Sequence, residues 1–141
     1  MKQALVRDWM TRDVITISSE TSLAEAHKLM EGKHVRRLPV VDHSQIVGIV
    51  TLGDVRGAEP SRASSLSIWE MNDLLAKLKI LEIMSPDPVT IQQNASIGEA
   101  ARMMLDKKFS GLPVVDEAGH LVGIITESDI FRLVASEWSK D

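Results

Sequence analysis

The chain has no cysteine among its 141 residues. That absence removes disulfides, thiolate nucleophiles and cysteine-type zinc sites in one step, and it permits a reducing compartment. A basic footprint is missing too: the formal charge is −4, and the 16 Lys and Arg are scattered rather than striped. A nucleic-acid partner therefore has no electrostatic support. Long apolar runs are also lacking. No stretch approaches the roughly 18 apolar residues of a membrane span. The N-terminus, MKQALVRDWMTRD, carries Arg7, Asp8, Arg12 and Asp13 where a signal peptide needs an unbroken apolar region. The expectation is a soluble, cytoplasmic protein without a membrane partner. Signatures of catalysis are absent as well: there is no GxSxG elbow, no glycine-rich phosphate loop and no HExxH, and His27, His34, His43 and His120 share no ligand spacing. The sequence predicts no enzyme, no catalytic residues, no metal site and no cofactor.

What is present is enough apolar material for a packed core, 44% of the residues, arranged in an internal repeat. A shift of 74 places Met10 on Met84, DVITI (13–17) on DPVTI (87–91), SLAEA (22–26) on SIGEA (96–100) and LPVVD (38–42) on LPVVD (112–116). The second copy then has one extra residue, EAGH against HSQ. Beyond it GIVTLGDV (48–55) meets GIITESDI (123–130) at a shift of 75.

Both halves read alike by period. The segments Val14–Ile17 and Val89–Ile91 are short and β-branched, which predicts strands. SLAEAHKLMEGK and SIGEAARMMLDKK space their apolar residues helically and open with capping boxes, Ser22 with Glu25 and Ser96 with Glu99. Two strands follow in each half, Leu38–Val41 with Ile46–Val50 and Leu112–Val115 with Leu121–Ile125, joined by polar turns. The repeat unit is β-α-β-β-α, repeat 1 spanning 6–57 and repeat 2 spanning 81–134. The linker, 58–80, begins within the polar stretch GAEPSRASS. It continues as a helix, SIWEMNDLLAKLKI, capped by Ser67 with Glu70, whose Trp69, Leu74, Leu75 and Leu78 either cover one side of the repeats or face a partner.

The ordered motifs, present twice, resemble a tandem pair of cystathionine-β-synthase (CBS) domains, the Bateman module. The resemblance runs from about Val6 to about Val134 and extends to stand-alone CBS-pair proteins of the acetoin-utilisation type, whose linker also reads roughly like RGAEPS. It implies an α/β (α+β) fold in which two three-stranded sheets pack face to face about a pseudo-twofold axis. Units of about 60 residues are marginal alone, so the two repeats are expected to form one module. The resemblance further implies a regulatory module that senses AMP, ADP or ATP, associates as a homodimer and passes occupancy to a regulated protein whose identity the sequence does not carry.

The site expectations follow from GIVTLGDV and GIITESDI. A Thr where strand gives way to helix, with an acidic residue three later, is a near match to a capping box. Capping alone is one reading of Thr51 with Asp54 and of Thr126 with Asp129. The other adds that a helix N-terminus attracts phosphate, while Asp accepts hydrogen bonds from ribose hydroxyls. In the resembled family this motif grips ribose and phosphate. The adenine side, by the same resemblance, maps onto Ile15 with Val35 and Arg36, and onto Val89 with Phe109 and Ser110. Arg36 or Arg37 could fork onto a phosphate, whereas the second copy, SGLPVV, has no cation there, so two occupied sites should bind unequally. The alternatives are a structural dimerisation block that binds nothing and a sensor of NAD or S-adenosylmethionine.

Overall fold

Three of the long helices start where a serine can satisfy an orphan amide. In the computed structural model, which describes residues 4–60 and 65–139, Ser22 caps α2 (Leu23–Lys33) by accepting from the Glu25 amide at 3.1 Å, and Ser96 caps α5 (Ile97–Lys107) by accepting from the Glu99 amide at 3.0 Å. Only the serine half of the expected box forms in these two helices. Both halves form at Ser67 and Glu70, which open α4 (Ile68–Lys77). Helices α2 and α5 end on His34 and Lys108, corresponding positions that both take the left-handed conformation, with φ of 55° and 60°. Positions 61–64 of the expected linker lie outside the described residues.

The chain forms two compact units, one comprising Ile15–Pro88 and the other combining the chain up to Val14 with the chain from Val89 onward. The first holds β1 (Arg37–Asp42), β2 (Gln45–Thr51), α3 (Leu52–Ala58) and β3 (Ser85–Pro86), besides α2 and α4. Its sheet has the order β1-β2-β3, all antiparallel. A two-residue loop joins β1 to β2 with His43 and Ser44 both at positive φ, the backbone of a type I′ hairpin turn. The second unit holds α1 (Val6–Trp9), β4 (Ile91–Gln92), β5 (Gly111–Val115), β6 (Leu121–Thr126) and α6 (Glu127–Trp138), besides α5. There β4 runs parallel to β5, β5 antiparallel to β6, and the extra turn residue is accommodated with Gly119 at φ 85°. Mixed helices and strands in two three-stranded sheets make this an α+β fold.

The expected first strands are shorter than their β-branched pattern suggests. Val14–Ile17 makes one bridge, Ile17 with Val40, and Val89–Ile91 is reduced to Ile91–Gln92. The other edge of each sheet, beyond β2 and β6, is supplied by the segment that leads into the opposite repeat. Residues 4–11 dock on the second unit through Val6 N to Ala95 O (2.9 Å), Ile97 N to Ala4 O (2.9 Å) and a bridge between Thr11 and Ile124. Residues 78–86 dock on the first through Ile80 N to Thr21 O (2.8 Å), Leu23 N to Leu78 O (2.8 Å) and the pairing of β3 with β2. These are the same bonds at corresponding positions. Val6 and Ile80, both fully buried, thereby enter the core of the unit built from the other repeat's body.

The linker helix covers less than expected. Leu75 and Leu78 pack against the first core, but Trp69 is 84% exposed and Leu74 is exposed too. The tryptophan sits on the first turn with Ile68, away from the face that meets α2. Beyond the helices, the buried Ser19 fastens β1: its hydroxyl donates to Asp42 at 2.6 Å and its amide at 3.1 Å, and these two bonds hold the Asp42 carboxyl below the ordinary carboxylate range. No helix among the described residues is long and apolar enough to cross a membrane.

Docking of the lead segments requires glycine at two places. A Cβ on Gly123 would stand 2.6 Å from the Met10 sulfur and 2.8 Å from the Thr11 carbonyl oxygen; one on Gly48 would stand 2.5 Å from the Met84 sulfur and 3.0 Å from the Ser85 carbonyl oxygen. A methionine tip can swing aside, whereas a paired backbone carbonyl cannot move without breaking its bridge. Gly123→Ala is therefore expected to lower stability by about 1–3 kcal/mol, the usual overpacking cost, with Gly48→Ala costing less. Urea denaturation of both variants checks the order, and equal midpoints would contradict it.

Candidate functional site

The repeated threonine and aspartate lie where a strand becomes a helix, and their neighbours explain the placement. Strand β2 ends at Thr51, opposite Arg37 across the hairpin, and β6 ends at Thr126, opposite Gly111. The next amide then turns back to the loop before LPVV: Leu52 N donates to Arg36 O at 2.8 Å, and Glu127 N to Ser110 O at 3.1 Å. The structure thus brings Arg36, Arg37, Thr51 and Asp54 to one corner of the first unit. It brings Ser110, Thr126 and Asp129 to the matching corner of the second. Arg36 and Ser110 are exposed, and Phe109 is 40% exposed beside Ser110. The other expected adenine-side residues are partly buried: Ile15 and Val35 pack against the first core and Val89 against the second.

The two corners differ in how the carboxylate is used. At the first, Thr51 N donates to Asp54 Oδ2 at 2.9 Å and the Asp54 amide returns a bond to Thr51 Oγ1 at 3.1 Å, a closed capping box. Asp54 is half-buried, and its recorded bond falls on Oδ2 alone. At the second, Asp129 is 1% exposed and engages both oxygens. Oδ2 accepts from Thr126 N at 2.8 Å and from Thr126 Oγ1 at 3.2 Å, while Oδ1 is paired with the Arg132 guanidinium. Arg132 was not among the residues expected from the motif. Its signal is present in DIFR, where Asp and Arg stand three apart on one helix face. The first copy has Gly57 at the corresponding position and so has no counterpart.

Charge differs as well, since the first corner carries Arg36 and Arg37 where the second has Ser110 and Gly111. A guanidinium suits phosphate; a serine offers only a hydroxyl. Metal chemistry finds no matching cluster. Among the described residues no group of three or more His, Asp and Glu could hold an ion. His27 touches two glutamates, but on opposite ring nitrogens: Nε2 faces Glu31 at 3.0 Å and Nδ1 faces Glu59 at 2.5 Å, so the carboxylates do not converge.

The unequal wiring predicts unequal dependence. Asp129→Ala removes a buried acceptor and strands both the Thr126 amide and Arg132, which should lower stability by about 1–3 kcal/mol. Asp54→Ala opens a half-buried capping box and should cost about 1 kcal/mol. Thermal unfolding of the two variants tests the ranking, and a larger loss for Asp54→Ala would refute it.

A CBS domain protein of Dictyostelium discoideum is 35% identical over 133 residues, which make up 94% of this chain and 92% of that one. Seven further curated relatives are longer, and the chain spans between 21% and 62% of their length; two of them are inosine-5'-monophosphate dehydrogenases, of which it spans 23% and 21%. Among solved structures, CBSX2 in complex with AMP is similar with a TM-score of 0.79 at 29% identity, over 94% of this chain and 97% of that one. The CBS domain pair of protein MJ0100, in complex with 5'-methylthioadenosine and S-adenosyl-L-methionine, gives a TM-score of 0.77 at 32% identity, over 96% and 99% of the two chains. The family model for the CBS domain matches residues 6–61 and again 80–136, so the chain belongs to the CBS domain family.

Proposed function

We propose that the chain is a regulatory module, not an enzyme, whose two repeats act together to bind an adenosine-bearing ligand, AMP, ADP or ATP, at the Thr51–Asp54 and Thr126–Asp129 corners. The observation that carries this reading is the duplicated geometry itself. In both repeats a threonine and an aspartate occupy the first turn of a helix, and the helix's first amide is tied to the residue before the Leu-Pro-Val-Val strand. Capping alone accounts for the hydrogen bonds of Asp54, but it engages only Oδ2 of the carboxylate, and the other oxygen can accept from a ribose hydroxyl. Ile15, Val35, Val89, Phe109 and Ser110 are the residues we assign to the adenine side. The AMP found with CBSX2 supports the ligand class, and the adenosyl ligands of the MJ0100 pair support S-adenosylmethionine as the second candidate.

A ligand that binds only the folded state shifts unfolding by mass action. AMP, ADP or ATP at a hundred times its dissociation constant is expected to stabilise the fold by about 2.7 kcal/mol. A thermal-shift panel of AMP, ADP, ATP, NAD and S-adenosylmethionine at millimolar concentration is the test, and no shift with any of them would overturn the sensor reading in favour of a structural block.

We also propose that the module works as a homodimer in the cytoplasm, acting on a regulated protein. The support for the dimer is the row of exposed apolar residues along α6, with Phe131 67% and Trp138 70% exposed and Val134 between them. Such a stripe is self-complementary across a twofold axis. Light scattering at tens of micromolar should give twice the chain mass, and a monomer with and without ligand would exclude the dimer.

A further inference from the structure

We infer that Arg132 competes with the ligand for Asp129, so that the aspartate of the second corner is latched while that of the first is not. The inference rests on the reading of Asp129 as a ribose ligand. A carboxylate oxygen has two lone-pair directions. On Asp129 both of Oδ2 are taken by the Thr126 amide and hydroxyl, and Oδ1, the atom left for a ribose hydroxyl, is held by Arg132. Solvent scarcely reaches the carboxylate, which is 1% exposed, although the arginine side chain is 61% exposed. The arrangement has the form of a cap: an exposed guanidinium is paired with a buried acceptor. Ribose binding must exchange one charge-assisted hydrogen bond for others, and the net gain at this corner is correspondingly smaller.

The first corner lacks the latch. Gly57 stands where the arginine would be, Asp54 is half-buried, and among the described residues only its Oδ2 accepts a hydrogen bond. The two repeats, alike in motif, are therefore set to different affinities by one residue outside the motif. The first corner fills at low ligand concentration. The second fills only when ligand is abundant enough to displace Arg132, which gives a single module two thresholds for one kind of ligand.

Calorimetric titration with adenosine, which has no phosphate for an arginine to hold, isolates the competition. In an Asp54→Ala background, where the Asp129 corner remains, adding Arg132→Met should tighten adenosine binding about fivefold, the effect of removing one charge-assisted competitor. Arg132→Lys, which keeps a cation without the planar fork, should fall between the two; circular dichroism of each variant reports folding. Adenosine affinity unchanged or weakened in both arginine variants, while the Asp54→Ala protein still binds, would overturn the latch and leave the binding reading intact. Weaker AMP with unchanged adenosine would also overturn it, by showing Arg132 to be a phosphate ligand. If neither adenosine nor AMP binds the unsubstituted protein or any variant, the binding reading itself fails and the latch with it. Adenosine binding that emerges only on Arg132→Met would support the latch in its strongest form.

Discussion

The docking of each lead segment on the body of the opposite repeat is the constraint on which the rest of the structure depends. Val6 and Ile80 are fully buried, and each, with Trp9 and Met10 or with Ile83 and Met84 beside it, completes a core built from the body of the opposite repeat. The repeated motif and the folded unit are therefore out of phase, with the chain passing from one unit to the other after Val14 and after Pro88. Small units have little apolar surface to bury, and removing one large aliphatic side chain from such a core is felt throughout it. Gly48 and Gly123 belong to the same constraint, since each is bare where a methionine of the docked segment lies across the strand.

A second layer of the design is how a common motif is made unequal. The bonds that tie each helix's first amide to the residue before β1 or β5 are backbone bonds and survive most substitutions. What varies is the periphery: two arginines before one Leu-Pro-Val-Val strand and a serine and glycine before the other, an arginine one turn into α6 and a glycine in α3. The scaffold positions an aspartate twice, and its neighbours decide how available that aspartate is. Regulation can be tuned in this way without disturbing the fold, because the tuning residues are largely exposed while the aspartate's anchoring bonds are local to its helix.

Much of this was legible in the chain before any coordinates. The LPVVD and GIxT segments lie within the strands they predicted, within a residue or two, because hairpin pairing and a buried face follow directly from local pattern. The linker helix and its capping box were also visible in Ser67 and Glu70. The segment DVITI was less faithful: its β-branched residues favour extended backbone, yet only Ile17 finds partners, Pro39 and Val41, and that pairing is fixed by distant chain. The exchange of lead segments left no local trace, since LVRDWM and KILEIM share apolar residues at their second, fifth and sixth positions and nothing in that spacing names the core each enters. Arg132 was readable by spacing, but a solvated surface arginine has the same spacing, and only the burial of Asp129 separates the two.

The exchange also orders events in time. The unit Ile15–Pro88 is continuous and has every residue it needs once the ribosome has released Pro88. The other unit is not: Val6 must wait for Ala95 and Thr11 for Ile124, so its edge closes a loop of more than a hundred residues. Contacts of such sequence separation form late. During synthesis residues 4–11 are made before the body of Ile15–Pro88 yet settle after it, with the apolar Val6 and Met10 kept from their core until the chain has passed Ile124.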